Sequence, residues 1–118
     1  MTVSDERDSA MLQVTVAAEP AGVQVVRVEG EVDYDTAGDL RAALFGAIER
    51  KPAGVVLDLS RLRFLDSTGL GVIVSGWQRA RKSGMHYALR CVPTVIAEQF
   101  ELTGLTKVLT FEEDTSAA

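Results

Sequence analysis

Four consecutive residues, Asp66-Ser67-Thr68-Gly69, stand between Phe64-Leu65 and the run Leu70-Gly71-Val72-Ile73. A carboxylate, two hydroxyls and a glycine in that order can do one of two things. They can cap a helix, since a helix start leaves backbone N–H groups without internal partners and an Asp66 or Ser67 oxygen can accept from one. Alternatively, they display a hydroxyl for chemistry. The N-terminus of a helix also stabilises added negative charge, so the fold itself would tolerate a phosphate on Ser67. On local residues alone the cap is the simpler account. Gly69 and Gly71 fit it poorly, because glycine weakens a helix interior. The close approach of a neighbouring element or of a docked partner explains them better.

A second polar cluster is Glu29, Glu31, Asp33, Asp35 and Asp39, with no basic residue among them. A solvated loop leading into a helix N-terminus, where acids are favourable, is the plain reading. A calcium loop starting at Asp33 fails, because Ala37 and Leu44 occupy positions that must ligate. Enzyme motifs fail too. A Gly-x-Ser-x-Gly elbow around Ser67 would need glycine where Leu65 stands. No phosphate-binding Gly-x-x-x-x-Gly-Lys-Ser/Thr loop is present, and Gly69-Leu70-Gly71 is followed by Val74 where a dinucleotide loop needs its third glycine. The single His86 opens a strand pattern without an indicated partner and reads as structural or surface. Cys91 lies among apolar residues without an activating base and reads as core, as does Trp77. No metal-ligating set and no cofactor motif emerges. Asp58 in Val55-Val56-Leu57-Asp58 invites comparison with phosphoacceptor receiver domains. Those open β-α-β with an acidic pair after the first strand, whereas here the acids follow the second strand.

The elements that must position these residues follow from periodicity. Leu12, Val14 and Val16 alternate in 11–17, and 23–30 is rich in β-branched residues. Pro20 and Gly22 between them make an antiparallel hairpin. Thr36 with Asp39 resembles a capping box, and Leu40, Ala43, Leu44, Ala47 and Ile48 follow at helical spacing. Lys51-Pro52-Ala53-Gly54 stops that helix. A short buried-type strand covers 55–60. A second helix runs from about 68 to 82, with Leu70, Ile73, Val74 and Trp77 on one face. Arg79, Arg81 and Lys82 complement its C-terminal dipole, and Gly84 ends it. A strand at 85–91, a helix opened by Pro93 through Val95, Ile96 and Phe100, and a strand at 107–111 complete the chain. The order β-β-α-β-α-β-α-β predicts a small α/β domain with one mixed sheet, its crossovers right-handed.

Bulk properties agree. A chain of 118 residues suits one domain with a core of its own. Composition is 47% hydrophobic and 25% charged, as in ordinary soluble domains. The formal net charge of −5 disfavours nucleic acid or anionic lipid as the main partner. A lone cysteine suits a reducing, cytoplasmic setting. The first ten residues lack the order of a signal peptide, and no apolar run reaches membrane-spanning length.

Three segments, "GEVDYDTAGDLRAAL", "VVLDLSRLRFLDSTGLGVI" and "FELTGLTKVL", resemble the STAS-domain anti-sigma-factor antagonists (anti-anti-sigma factors) of bacteria. The similarity spans about residues 11–111 in element order and length. Asp66-Ser67-Thr68-Gly69-Leu70-Gly71 matches the family's Asp-Ser-Ser/Thr-Gly-Leu-Gly throughout. The resemblance implies a STAS domain at 11–111 between flexible ends, 1–10 and 112–118. It implies phosphorylation of Ser67 by an anti-sigma factor that is itself an ATP-binding serine kinase, with a phosphatase for reactivation. It places partner contacts on Asp33, Asp66, Thr68, Gly69, Leu70 and Gly71. The chain would then be a kinase substrate, not an enzyme, needing no cofactor, nucleic acid or membrane. The other role the resemblance allows is a STAS subunit of a stress-signalling complex or of a membrane-transporter assembly. Asp33, in a polar loop, is expected to matter for the partner and to cost under about 0.5 kcal/mol of stability when substituted.

Overall fold

The computed structural model describes residues 11–112. The expected flexible ends lie outside this range, except that Glu112 belongs to the last strand.

Strand β1 (Leu12–Glu19) pairs antiparallel with β2 (Val23–Val32), from Leu12 opposite Gly30 to Glu19 opposite Val23. The 3-10 turn Pro20–Gly22 closes the hairpin, with Pro20 restricting φ on entry and Gly22 at φ +82°. Helix α1 (Ala37–Glu49), strand β3 (Gly54–Leu65), helix α2 (Ser67–Lys82) and strand β4 (His86–Arg90) follow. Helix α3 (Thr94–Leu102), a 3-10 turn (Leu105–Lys107) and strand β5 (Thr110–Glu112) end the described chain. The sheet order is β1-β2-β3-β4-β5, parallel from β2 onward. The predicted mixed α/β sheet and element order are therefore observed.

Each parallel step moves one strand in the same direction, so right-handed crossovers stack the three helices on one face. Leu40, Leu44, Ile73, Ile96 and Phe100 join Val26, Val28, Leu57, Leu59 and Leu89 in one buried cluster there. Alternate strand residues Val25, Val56 and Ala88 form a small cluster of their own. This alternation is the period-two consequence of strand geometry.

Three features differ from what the local residue pattern predicts. The strand expected at 55–60 runs on to Leu65. Its far half carries Arg61 and Arg63, which look like loop, but pairs with β2 through two register shifts. Glu29 lies opposite Arg61, so the acidic stretch of β2 has counter-charge on the next strand. The segment expected as a strand at 107–111 starts with the end of the 3-10 turn, and β5 begins only at Thr110. Cys91 is not a core strand residue. It sits just past β4 at φ 57°, half-buried, its N–H donating to the Glu112 carbonyl at 3.0 Å.

Candidate functional site

Strand β3 passes into α2 through one residue, Asp66. Its backbone is extended, and its carboxylate accepts from the Gly69 N–H at 3.0 Å. Asp66 is thus the N-cap, which decides the question left open by the local residues. Ser67 is the first helical residue, and its hydroxyl is free of capping duty. Ser67 and Thr68 are exposed, and neither hydroxyl makes a side-chain hydrogen bond among the described residues.

The two glycines have different reasons. Gly69 is buried, and a Cβ there would stand 2.5 Å from Val32 Cγ1 and 2.6 Å from Leu65 Cδ1. It is glycine because α2 lies directly against the ends of β2 and β3, so packing within the chain accounts for it without a partner. Gly71 is exposed, with nothing within 4 Å of a Cβ built there. Leu70 is half-buried and packs against the core edge. Of the run Asp66–Gly71, Ser67, Thr68 and Gly71 are therefore exposed, and Asp66 and Leu70 half-buried.

Asp33 arrives at the same end. Val32 pairs with Leu65, and the Asp66 N–H donates to the Val32 carbonyl at 3.1 Å, so the turn after β2 starts beside the turn after β3. The cap of α1 differs from the expected Thr36–Asp39 box. Thr36 is buried and points back, its hydroxyl donating to the Glu31 carbonyl at 2.9 Å and accepting from the Asp33 N–H at 2.9 Å. The Asp33 carboxylate takes over, accepting from the N–H groups of Asp35 at 2.9 Å and Thr36 at 3.0 Å. Asp33 is consequently a turn-building residue, and these bonds raise the expected cost of substituting it above the roughly 0.5 kcal/mol of a solvated loop acid. Asp33→Ala is expected to cost about 1 kcal/mol, as loss of a cap does, and Asp33→Asn to recover most of it. Urea unfolding of both variants checks this; equal stability of Asp33→Ala and wild type would make the turn bonds dispensable.

Two exposed aromatic residues at this end carried no motif. Tyr34 is 81% exposed beside Asp33, and Phe64 is 48% exposed beside Leu65. The signal for both was an aromatic side chain abutting a polar motif.

Asp58 does not stand at a strand end as a phosphoacceptor would. It lies mid-strand, accepting from the Ser60 N–H at 3.0 Å and from Arg27 Nε at 3.3 Å. Burial pushes its pKa up, but the Ser60 N–H and hydroxyl and the Arg27 guanidinium outweigh this and leave it lowered. His86 faces Glu112 across 3.2 Å at the surface. Among the described residues no group of three or more His, Cys, Asp or Glu could hold a metal ion, and no helix is long and apolar enough to cross a membrane.

The arrangement offers two exposed hydroxyls, Ser67 and Thr68, in the first turn of a 16-residue helix.

The chain is similar to known proteins in sequence and in fold. The STAS domain family model matches residues 15–118. An anti-sigma F factor antagonist of Paenibacillus polymyxa is 34% identical over 89 residues, covering 75% of this chain and 76% of that protein. The anti-sigma-F factor antagonist RsfB of Mycobacterium tuberculosis is 31% identical over 96 residues, covering 81% and 77%. The crystal structure of an anti-sigma factor antagonist from Mycobacterium paratuberculosis superposes with a TM-score of 0.81 at 27% identity, over 90% of this chain and 89% of that one.

Proposed function

The chain belongs to the STAS domain family, and from that premise we propose that it is an anti-sigma factor antagonist switched by phosphorylation of Ser67. Unphosphorylated, it binds an anti-sigma factor that is a serine kinase, and so frees a sigma factor. Phosphorylated, it lets the kinase go. Relatives that carry the name anti-sigma factor antagonist support the first half of this reading. The observation that carries the second half is that Asp66 caps α2 and leaves the Ser67 hydroxyl exposed.

The chemistry belongs to the partner. The γ-phosphoryl group of ATP passes to Ser67 Oγ, the hydroxyl proton goes to a base on the kinase, and ADP leaves. This chain contributes position and tolerance. The first N–H groups of α2 have no intrahelical acceptors, and the helix dipole favours a dianion there. A phosphatase resets the switch. The reaction needs no metal or cofactor held by this chain, which is a substrate and not a catalyst.

The test is incubation with the cognate kinase and ATP followed by mass-spectrometric mapping. Phosphate is expected on Ser67 and absent from Ser67→Ala. Phosphate mainly on Thr68, or full modification of Ser67→Ala, would move the switch off Ser67.

A further inference from the structure

Pairing of β3 with β4 ends at Asp58 opposite Arg90, while pairing with β2 continues to Leu65 opposite Val32. The last stretch of β3 before the serine is therefore held by a strand on one side only. On the other side the donor is a side chain: Gln99 of α3 gives its amide Nε2–H to the Leu65 carbonyl at 2.7 Å, across 34 residues of sequence. The one-residue turn that presents Ser67 is thus bracketed. The Val32 carbonyl takes the Asp66 N–H at 3.1 Å, and Gln99 takes the carbonyl just before Asp66. Asp66 in turn sets the first turn of α2, through its carboxylate on Gly69 N–H at 3.0 Å and its carbonyl on Leu70 N–H at 2.9 Å.

The helix that carries Gln99 is well placed to act as a fixed post. Ile96 and Phe100 flank Gln99 in the chain and are buried, and Phe100 meets Phe111 edge-to-face at 5.5 Å. On this geometry we infer that Gln99 is a positioning residue for Ser67: its amide substitutes for the missing strand and holds the hydroxyl in register for phosphoryl transfer. The inference rests on the proposed phosphorylation of Ser67, but its structural half stands alone. Orientation is where phosphoryl transfer gains most of its rate, so a loosened acceptor is expected to lower turnover and to leave docking of the surrounding surface intact.

Two variants separate the hydrogen bond from packing. Gln99→Met keeps length and removes the donor; Gln99→Lys restores an N–H donor. In the free protein, amide exchange at Asp66, Gly69 and Leu70 is expected to rise roughly 10-fold in Gln99→Met, the scale of one net hydrogen bond, while Val56 and Leu57 keep wild-type rates. With the kinase, kcat for Ser67 phosphorylation is expected to fall roughly 10-fold at nearly constant KM, and Gln99→Lys to recover much of both effects. Unchanged exchange at 66–70 in Gln99→Met overturns the inference. So does faster exchange spread evenly over the sheet, or faster local exchange with undiminished kcat. If the kinase leaves the wild-type chain unmodified, the proposed function falls, and the exchange measurement by itself decides whether Gln99 holds the turn.

Discussion

Phosphorylated protein is expected to bind the kinase roughly 5–150-fold more weakly than unmodified protein, a coupling of about 1–3 kcal/mol. The modification adds about 1.5 to 2 negative charges and a bulky tetrahedral group at one point. Within the chain this is absorbed, because the group sits at the start of α2, where N–H groups and dipole favour it. At the proposed partner interface it is expected not to be absorbed. A kinase must fit closely around the hydroxyl to which it transfers a phosphoryl group, and that fit excludes the product. Asp33 and Asp35 start the turn beside Asp66 and add like charge at the same end. Ser67→Asp carries about one charge in place of two and is expected to weaken binding only in part. Ser67→Ala, unable to be modified, is expected to stay bound in the presence of ATP. Titrations of kinase against the unmodified, phosphorylated and Ser67→Ala forms, with ADP and with ATP, measure this. Equal affinity of the phosphorylated and unmodified forms, both folded by circular dichroism, would return Ser67 to the status of an ordinary helix-start residue.

The largest effect on stability is expected from Gly30→Ala. Gly30 has φ +115°, a conformation that L side chains rarely adopt, and lies at a register shift between β2 and β3. A Cβ there would overlap the Met11 carbonyl oxygen and lie 2.9 Å from its carbon. Both are backbone atoms of Met11, the residue just before β1, so relief requires pulling the hairpin apart there. A loss of about 3 kcal/mol or more is expected, at the upper end of single substitutions and of the class where strain at a special φ adds to a steric clash. Gly71→Ala is the natural control. It adds the same methyl group to an exposed helical site with open space around it, and should stabilise α2 by up to about 1 kcal/mol. Urea denaturation of both variants makes the comparison. A Gly30→Ala cost below about 1 kcal/mol would mean that the hairpin rearranges freely at this point.

By itself the sequence determined the alternation of strands and helices, the mixed sheet and the position of Ser67 at the start of α2. These are written in short-range signals: period-two and period-3.6 apolar spacing, Pro20 and Gly22 in a turn, Gly104 after α3, and the contiguous run Asp66–Gly71. The tertiary structure decided what depends on residues far apart in the chain. Arg61–Leu65 look like loop until Glu29–Val32 lie beside them, and only that pairing makes them strand. Asp33 reads as a solvated acid until the chain turns back and its carboxylate meets the N–H groups of Asp35 and Thr36. Gly69 has no local reason; it has one once α2 presses onto Val32 and Leu65. Gln99 carries no motif, since its role exists only where α3 comes beside the unpaired edge of β3. Hydrophobic period and turn chemistry act within a few residues and can be read from them. Steric contact and hydrogen-bond completion act between whichever groups the fold brings together, and no local pattern encodes those pairs.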